Sequence, residues 1–332
     1  MLFLLVGVVL LGAILLRTDL SELWRQMANV GVSGMLAVLC VYALYFAADA
    51  VSWQIALPAV DLSWRWIARM FGVRMIGEAY NNITPTASLG GEPIKAWLLK
   101  SNWGIALRDS GASLVIAKTT SMFALAVFVA IGFALMLDHP RFSLWHKQIA
   151  VVGLAFIVAA ALVFYLMQHM RLSTLVARRL GATRLGQRIA GVLAAAEDID
   201  RQFAAFYSGH GLRLAGSFVF ALANWLLGAL EVYLILYLIG QPLSFTEVWM
   251  IECMVQLVRT LTFFVPAAIG TQEGAFLIGV GIVTGLPSAG VATALVRRCR
   301  DLIWIGLSLA LASCYAVTPR KVMRGDLDVA ES

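Results

Sequence analysis

Two short segments place a proline, glycines and a glutamate inside otherwise apolar sequence, and their residue types could support binding chemistry. Residues 81–97 read NNITPTASLGGEPIKAW, and residues 262–278 read TFFVPAAIGTQEGAFLI. In each segment a glutamate follows the proline by seven residues, as Glu92 follows Pro85 and Glu273 follows Pro266. A proline interrupts the helical hydrogen-bond ladder and frees backbone polar groups. We therefore predict two breaks in which polar groups line a cavity.

The glycines and polar residues of these breaks suit a phosphate group. Glycines at 90, 91 and 270 allow close backbone approach, and a helix restarting near Glu92 offers N–H groups and a positive dipole end. Lys95 lies one turn into that helix, and Thr86 and Ser88 add hydroxyls. The candidate substrate-binding residues are Asn81, Asn82, Thr84, Pro85, Gly90, Gly91, Glu92, Lys95, Arg259, Pro266, Gly270, Glu273 and Arg298. The same glycines and hydroxyls would also serve tight helix packing and helix capping.

The two glutamates do not suit an anionic ligand, and three roles are open to them. Each carboxylate could cap the restarting helix, pair with a lysine or arginine, or take up a proton. A charge at the bilayer centre costs roughly 2.5 to 3.5 kcal/mol on insertion scales, so we expect each charge to be compensated. The same expectation covers other ionisable residues in apolar segments. The candidate coupling or counter-charge residues are Asp49, Lys118, Glu231 and Glu252.

Arginines of the second half are candidate counter-charges for a phosphate, because guanidinium forks match phosphate oxygens. They are Arg259, Arg297, Arg298 and Arg300. Alternatively, the last three mark a helix end at the membrane interface. The topology inferred below places them near the outer surface, as an access site. Two pairs spaced by four residues, Arg74 with Glu78 and Arg297 with Asp301, can each share a helix face.

The composition places these residues in an all-α polytopic integral membrane protein. Of 332 residues, 61% are hydrophobic and 13% charged, and the mean hydropathy is +0.85. A spanning helix needs roughly 20 apolar residues, and such runs recur along the chain. The predicted spans are Val32 to Leu57, Ser113 to Leu137, Ile149 to Met167, Leu214 to Ile239 and Leu302 to Val317. We predict one membrane domain, residues 1–317, in which an apolar run at 1–16 is retained as a first helix.

Residue spacing predicts no metal site, disulfide framework or cofactor. The four cysteines are scattered through apolar segments, and the four histidines lie at predicted helix ends without ligand spacing. The net charge of +6 is small for a nucleic-acid binder, so no nucleic-acid partner is expected. Basic residues near helix ends instead indicate membrane orientation and anionic lipid head groups.

Basic segments predict the orientation in the cytoplasmic membrane. Residues 171–213 are rich in arginine and are predicted to be cytoplasmic, as amphipathic surface helices or as a solvated linker. The basic tail, residues 318–332, is predicted to be cytoplasmic as well. From these anchors, the first broken segment lies on the inner side and the second on the outer side. Each could be a re-entrant hairpin or two full crossings.

The two halves carry matched features that indicate an internal duplication. Asp49 precedes Pro85 by 36 residues, and Glu231 precedes Pro266 by 35. Lys118 follows Glu92 by 26 residues, and the arginines at 297–300 follow Glu273 by 24 to 27. We predict repeats over about 1–137 and 149–317 in inverted orientation. Inverted repeats whose discontinuous helices meet near the midplane are a recurrent plan of transporters.

The motifs at 81–97 and 262–278, with their separation and the helix pattern, resemble the family of the lysylphosphatidylglycerol synthase transmembrane region, also called the flippase-like domain family. The resemblance covers nearly the whole chain and implies lipid translocation or a related lipid role, as in stand-alone members associated with hopanoids. Full synthases carry a soluble aminoacyl-transfer domain after the membrane part. No such domain follows here, so lysyl transfer is not expected.

Three functions follow as hypotheses. The leading one is a flippase that moves a phospholipid or related polar lipid, with membrane lipids bearing an anionic or phosphate head group as its partners. A second is a membrane-embedded enzyme using Glu92 or Glu273 as base, although a paired acidic metal motif, a nucleophile elbow and a nucleotide-phosphate loop are absent from the sequence. A third is an accessory subunit that assembles with lipid-biosynthesis enzymes.

Overall fold

The computed structural model describes residues 20–83, 90–169, 209–262 and 268–315, together with residues 9, 12, 16, 206 and 265. Within this part the chain forms nine α-helices and no strand. They are α1 (Leu20–Ile55), α2 (Trp64–Ile83), α3 (Gly91–Trp103), α4 (Leu107–Leu137), α5 (Leu144–His169), α6 (Gly211–Leu238), α7 (Phe245–Leu261), α8 (Thr271–Thr284) and α9 (Pro287–Cys314). The all-α fold is confirmed. The predicted first helix, the segment 171–205 and the C-terminal tail lie outside the described residues.

Four helices are long and apolar enough to cross a membrane: Ser21–Ile55, Leu107–Leu137, Leu144–Leu166 and Gly211–Leu238. Four of the five predicted spans fall on these helices and end at most two residues beyond them. Within α1, Gly31 adopts a φ of 58°, which kinks the helix one residue before the predicted span begins. A left-handed φ of this kind favours glycine because it has no Cβ.

The fifth predicted span, from Leu302, forms the second half of α9. This helix is not among the four candidates, although its 28 residues are long enough to cross. Three arginines and Asp301 occupy its middle and lower its hydropathy. The charged centre of α9 therefore needs partners inside the bundle.

Both predicted breaks coincide with helix boundaries. Helix α2 ends at Ile83 and α3 begins at Gly91, while α7 ends at Leu261 and α8 begins at Thr271. Each pair of helices packs together across its break. Each broken segment is therefore two shorter helices.

The same helix contacts recur in the two halves. Helix α1 packs on α2, α2 on α3 and α3 on α4, as α6 packs on α7, α7 on α8 and α8 on α9. Between the halves, α1 contacts α9 as α6 contacts α4, and α2 contacts α9 as α7 contacts α4. These matched contacts agree with an internal duplication. The inverted orientation of the repeats stays a prediction.

Helices α1 and α6 form the central pair, and they run antiparallel. The Ser52 hydroxyl, near the end of α1, donates to the Ser217 carbonyl near the start of α6 at 2.8 Å. At the other end, Gly34 lies against the Leu238 side chain. Helix α5 packs at the periphery and leaves Val152, Phe156 and other apolar side chains exposed, as expected for a lipid-facing helix.

Candidate functional site: charged side chains inside the helical bundle

A buried network joins α6, α7 and α9. Arg300 donates from Nε and Nη2 to both carboxylate oxygens of Glu231, at 2.7 and 2.9 Å. Arg297 donates from Nη1 and Nη2 to both oxygens of Glu252, each at 3.2 Å, and its Nη2 also lies 3.3 Å from a Glu231 oxygen. All four side chains are at most 6% exposed. Bidentate pairing of this kind compensates charges that burial would otherwise make costly.

Neutral groups complete the partners of this network. The Gln256 amide donates to Glu252 at 2.7 Å, and the Gly228 carbonyl accepts from Arg297 at 3.2 Å. The Arg300 guanidinium lies 3.5 Å from the ring centroid of Tyr42 on α1. This cation–π contact extends the network to α1.

A second ion pair holds the start of α8. Glu273 is fully buried, and its carboxylate accepts from Arg298 Nε at 2.7 Å and from the Gly270 N–H at 2.7 Å. Arg298 also donates to the Ala268 carbonyl at 3.1 Å. Gly270 has a φ of 78°, which suits the sharp turn into α8. Glu273 thus combines two of the roles considered for it, capping and pairing.

The first break carries its own charged groups. Asp49 on α1 pairs with Arg74 on α2. On α3, Lys95 donates to Glu92 at 2.7 Å, and the Lys95 side chain is buried while Glu92 is 33% exposed. The Lys95 stem lies across Gly77 of α2, so a side chain at 77 would collide with it. Glu92 therefore pairs, and it remains more accessible than Glu273.

Gly91, at the start of α3, allows close helix packing. A Cβ built on Gly91 would lie 1.9 Å from the Gly77 carbonyl oxygen, so α2 and α3 touch backbone to backbone. The Gly91 N–H donates to the Asn81 Oδ1 at 2.7 Å. Both groups were candidate ligand contacts. Here they bind each other, which corresponds to the packing and capping alternative.

Residues 1–309 of the chain match the family described as the lysylphosphatidylglycerol synthase TM region. The chain belongs to this family. A UPF0104 membrane protein of Methanothermobacter thermautotrophicus is 25% identical over 312 residues, which cover 88% of this chain and 88% of the relative. The UPF0104 membrane protein PH1989 of Pyrococcus horikoshii is 21% identical over 302 residues, covering 86% and 88%. No solved structure matches.

Two of the candidate cations take no part in these ion pairs. Lys118 on α4 and Arg259 in the last turn of α7 are exposed. Neither makes an ion pair or a hydrogen bond with the described residues. They are the cations of the predicted set that remain open to a ligand.

The arginines of α9 require a correction to the predicted start of the last span. They lie in the middle of a 28-residue helix, so they do not mark a helix end. Arg297 and Arg300 are buried and bound to glutamates, so they do not form an access site at the outer surface. The prediction failed because segment ends were placed by charge, whereas these charges are stabilised by partners distant in sequence.

Several partners were not found from the sequence. Tyr42 and the Gly228 carbonyl carry no signal, because each meets its arginine only through helix packing. Gln256 had a usable signal, since it lies four residues after Glu252 on one helix face. The structure also pairs Arg74 with Asp49 and Asp301 with Arg300, where sequence spacing offered Glu78 and Arg297.

Some candidate residues lie outside the described part of the chain. They are Thr84, Pro85, Thr86, Ser88, Pro266 and the side chain of Asn82. The described cysteines are free, and no cluster of potential metal ligands occurs among the described residues.

Proposed function

We propose that this membrane protein is a lipid translocase that moves a phospholipid or related polar lipid across the cytoplasmic membrane. One observation carries the proposal: charged side chains from both halves gather inside an apolar bundle, next to two helix breaks. Charges inside membrane segments are costly and mark substrate pathways. A polar interior lets a head group cross while the acyl chains stay in the bilayer.

The positions of the helix ends in the two broken pairs support openings toward opposite sides of the membrane. Trp66 at the start of α2 and Trp103 at the end of α3 have ring centroids 5.8 Å apart, and Trp103 contacts Tyr315 at the end of α9. At the other end of α4, Glu247 at the start of α7 lies 3.8 Å from His139. We propose that the α2–α3 pair opens toward the inner side and the α7–α8 pair toward the outer side. Such an arrangement suits alternating access.

Membership of this family supports a role with lipids, but it does not specify which reaction or transport step this chain performs. Its description refers to the membrane region of a lipid synthase, and the two relatives are described only as membrane proteins. We propose that this chain works without an aminoacyl-transfer reaction, since the buried carboxylates Glu231, Glu252 and Glu273 are engaged in ion pairs. Its partners are then membrane lipids with anionic or phosphate-bearing head groups.

The test is reconstitution of the purified protein into vesicles with a trace of fluorescent phospholipid. A membrane-impermeant quencher would reduce about half of the fluorescence in empty vesicles and nearly all of it where lipids exchange leaflets. We expect added loss for at least one lipid in a panel of anionic and zwitterionic head groups. Correctly folded protein that moves no member of the panel would refute translocation, and a new lipid species in the extracted vesicles would indicate an enzyme.

A further inference from the structure

Helix α9 is attached to its neighbours by different kinds of contact on its two sides. Its arginines bind glutamates of α6, α7 and α8, and Arg297 and Arg300 are buried in bidentate pairs. Toward α1 and α2 it packs through Trp304, whose ring centroid lies 5.0 Å from that of Tyr42 and 6.2 Å from that of Phe71. Breaking a buried ion pair leaves an unpaired charge, whereas separating apolar rings leaves none. Helix α9 is therefore held more firmly by the second half than by α2.

Two polar groups are buried on the aromatic side of α9. The Trp304 indole N–H and the Ser308 hydroxyl make no hydrogen bond with the residues that the structure describes. Ser308 follows Trp304 by four residues, so the two side chains share a helix face. A buried polar group without a partner costs free energy, which contact with water would return if the interface opened. The packing of α9 against α2 is therefore destabilised in its closed form.

The corresponding contact in the other half has its polar groups satisfied. Helix α7 contacts α4 as α2 contacts α9. There the Trp249 indole N–H donates to the Phe128 carbonyl of α4 at 3.0 Å, and the Cys253 Sγ lies 3.5 Å from the same oxygen. The Trp249 and Phe128 rings also stack, with centroids 5.3 Å apart. Of these two contacts between the halves, the one between α2 and α9 is therefore the easier to separate.

The contact between α2 and α9 lies beside a partly exposed polar stripe. Phe71, Arg74 and Glu78 of α2 are spaced by three and four residues, and all three are partly exposed. Phe71 contacts Trp304, so the stripe begins at this interface. On its outer surface α9 exposes Leu307, as expected for a helix that faces lipid. Separation of α2 from α9 would therefore join the bilayer to the polar stripe.

We propose that α2 and α9 part to form a side entrance to the interior of the bundle, while α9 stays fixed to α6, α7 and α8. The proposal rests on the translocase function and names the place where a lipid enters. A lipid whose head group crosses the bundle keeps its acyl chains in the bilayer, so its entrance must open along the side of the bundle. The Trp304 and Ser308 groups gain polar partners when the entrance is open.

The first test compares two buried serines as cysteines, in a background without the four native cysteines. Ser308 lies on the face that is proposed to open, whereas Ser217 lies between α6 and α1, and both are 0% exposed. We expect Ser308→Cys to react with a water-soluble maleimide about tenfold faster than Ser217→Cys, because local opening exposes it. Equal reaction rates would refute the opening.

Alanine variants test the buried hydroxyl by thermal melting. Ser308→Ala removes a polar group without a partner and should raise the melting temperature by about 2 °C. Ser113→Ala is the matched control and should lower it, because the buried Ser113 hydroxyl accepts from the Trp53 indole at 3.0 Å and donates to the Ser110 carbonyl at 2.7 Å. An unchanged or lower melting temperature of Ser308→Ala would refute the destabilised closed contact.

A reversible cross-link tests whether the opening serves transport. A Cβ on Gly72 of α2 would lie 3.6 Å from the Leu311 side chain of α9, and one on Gly216 of α6 would lie 3.6 Å from the Ile55 side chain of α1. Cysteine pairs at these positions can be joined by a short methanethiosulfonate cross-linker, which dithiothreitol removes. In the vesicle assay, joining 72 to 311 should stop lipid movement, and reduction should restore it. Joining 55 to 216 should leave movement unchanged.

Different results would overturn different statements. Full lipid movement with α2 joined to α9 would refute the side entrance, and so would an equal loss of movement in both cross-linked pairs. If the protein moves no lipid before cross-linking, the translocase function is refuted. The reaction rates of Ser308→Cys and Ser217→Cys then still decide whether α2 and α9 part.

Discussion

At the scale of single residues, some charged side chains of the bundle form ion pairs that hold helices together, whereas others make no ion pair among the described residues. Glu231, Glu252 and Glu273 are buried and bound to arginines of α9, which ties α6, α7 and α8 to α9. Breaking a buried pair on one side leaves an uncompensated charge and costs roughly 3 to 5 kcal/mol. The carboxylates of the second half therefore maintain the fold around the breaks.

Glu231→Gln should destabilise the protein, because Arg300 would lose the negative charge and one of the two acceptor oxygens of its bidentate partner. We expect a loss of about 1 to 3 kcal/mol of unfolding free energy, because Arg300 keeps Asp301 as a partner, visible as a lower melting temperature in detergent and a reduced yield of monodisperse protein.

A double variant provides the matched control for this pair. Glu231→Gln with Arg300→Gln removes both charges and should recover part of the stability lost by the single change. If Glu231→Gln alone had the same melting temperature as the wild type, this would contradict the structural role of Glu231.

At the scale of helices, backbone contact fixes how the broken pairs are built. A Cβ on Gly290 of α9 would lie 2.2 Å from the Phe276 carbonyl oxygen of α8, just as one on Gly91 would collide with Gly77. Small residues allow membrane helices to approach closely and gain dispersion contacts. The glycines of both halves thus serve helix packing beside the charged groups.

Gly290→Ala should force α8 and α9 apart and destabilise the protein by about 1 to 3 kcal/mol, the range for overpacking. Its matched control is Gly306→Ala on the same helix, where nothing lies within 4 Å of the added methyl group. The control should be neutral or stabilise by up to about 1 kcal/mol through helix propensity. Thermal melting of both variants tests this prediction, and equal melting temperatures would contradict the close contact between α8 and α9.

At the scale of the whole molecule, the start of α2 and the end of α3 lie at one end of the bundle, and the start of α7 lies at the other. Helices α2 and α3 meet the end of α9 through aromatic contacts, whereas α7 begins beside His139. If the halves are inverted, these two ends of the bundle face opposite sides of the membrane. The positive-inside rule predicts that the first end faces the cytoplasm.

Cysteine labelling tests this orientation. In a background without the four native cysteines, we expect Arg141→Cys to react with a membrane-impermeant maleimide added to intact cells. Lys100→Cys should react only after the membrane is permeabilised. Both positions are exposed, so reactivity reports sidedness. Labelling of the two positions from the same side would exclude opposed openings.

Local sequence determined much of this architecture. Long apolar runs specified the spanning helices, because only a continuous helix satisfies its backbone inside a bilayer. Proline, glycine and polar residues at 81–97 and 262–278 located both breaks, since these residues interrupt a helix wherever it packs. The spacing of Glu92 and Glu273 also predicts a duplication, and the two halves repeat the same helix contacts.

The tertiary structure alone decided which charges are available. Arg297 and Lys118 look alike in sequence, since each is a basic residue in a predominantly apolar helix. Arg297 finds Glu252, 45 residues away, whereas Lys118 makes no ion pair among the described residues. Pairing across helices depends on packing that residue spacing along one helix does not encode. That is why the sequence predicted the charged interior, and only the fold separated its structural ion pairs from the cations that make no ion pair among the described residues.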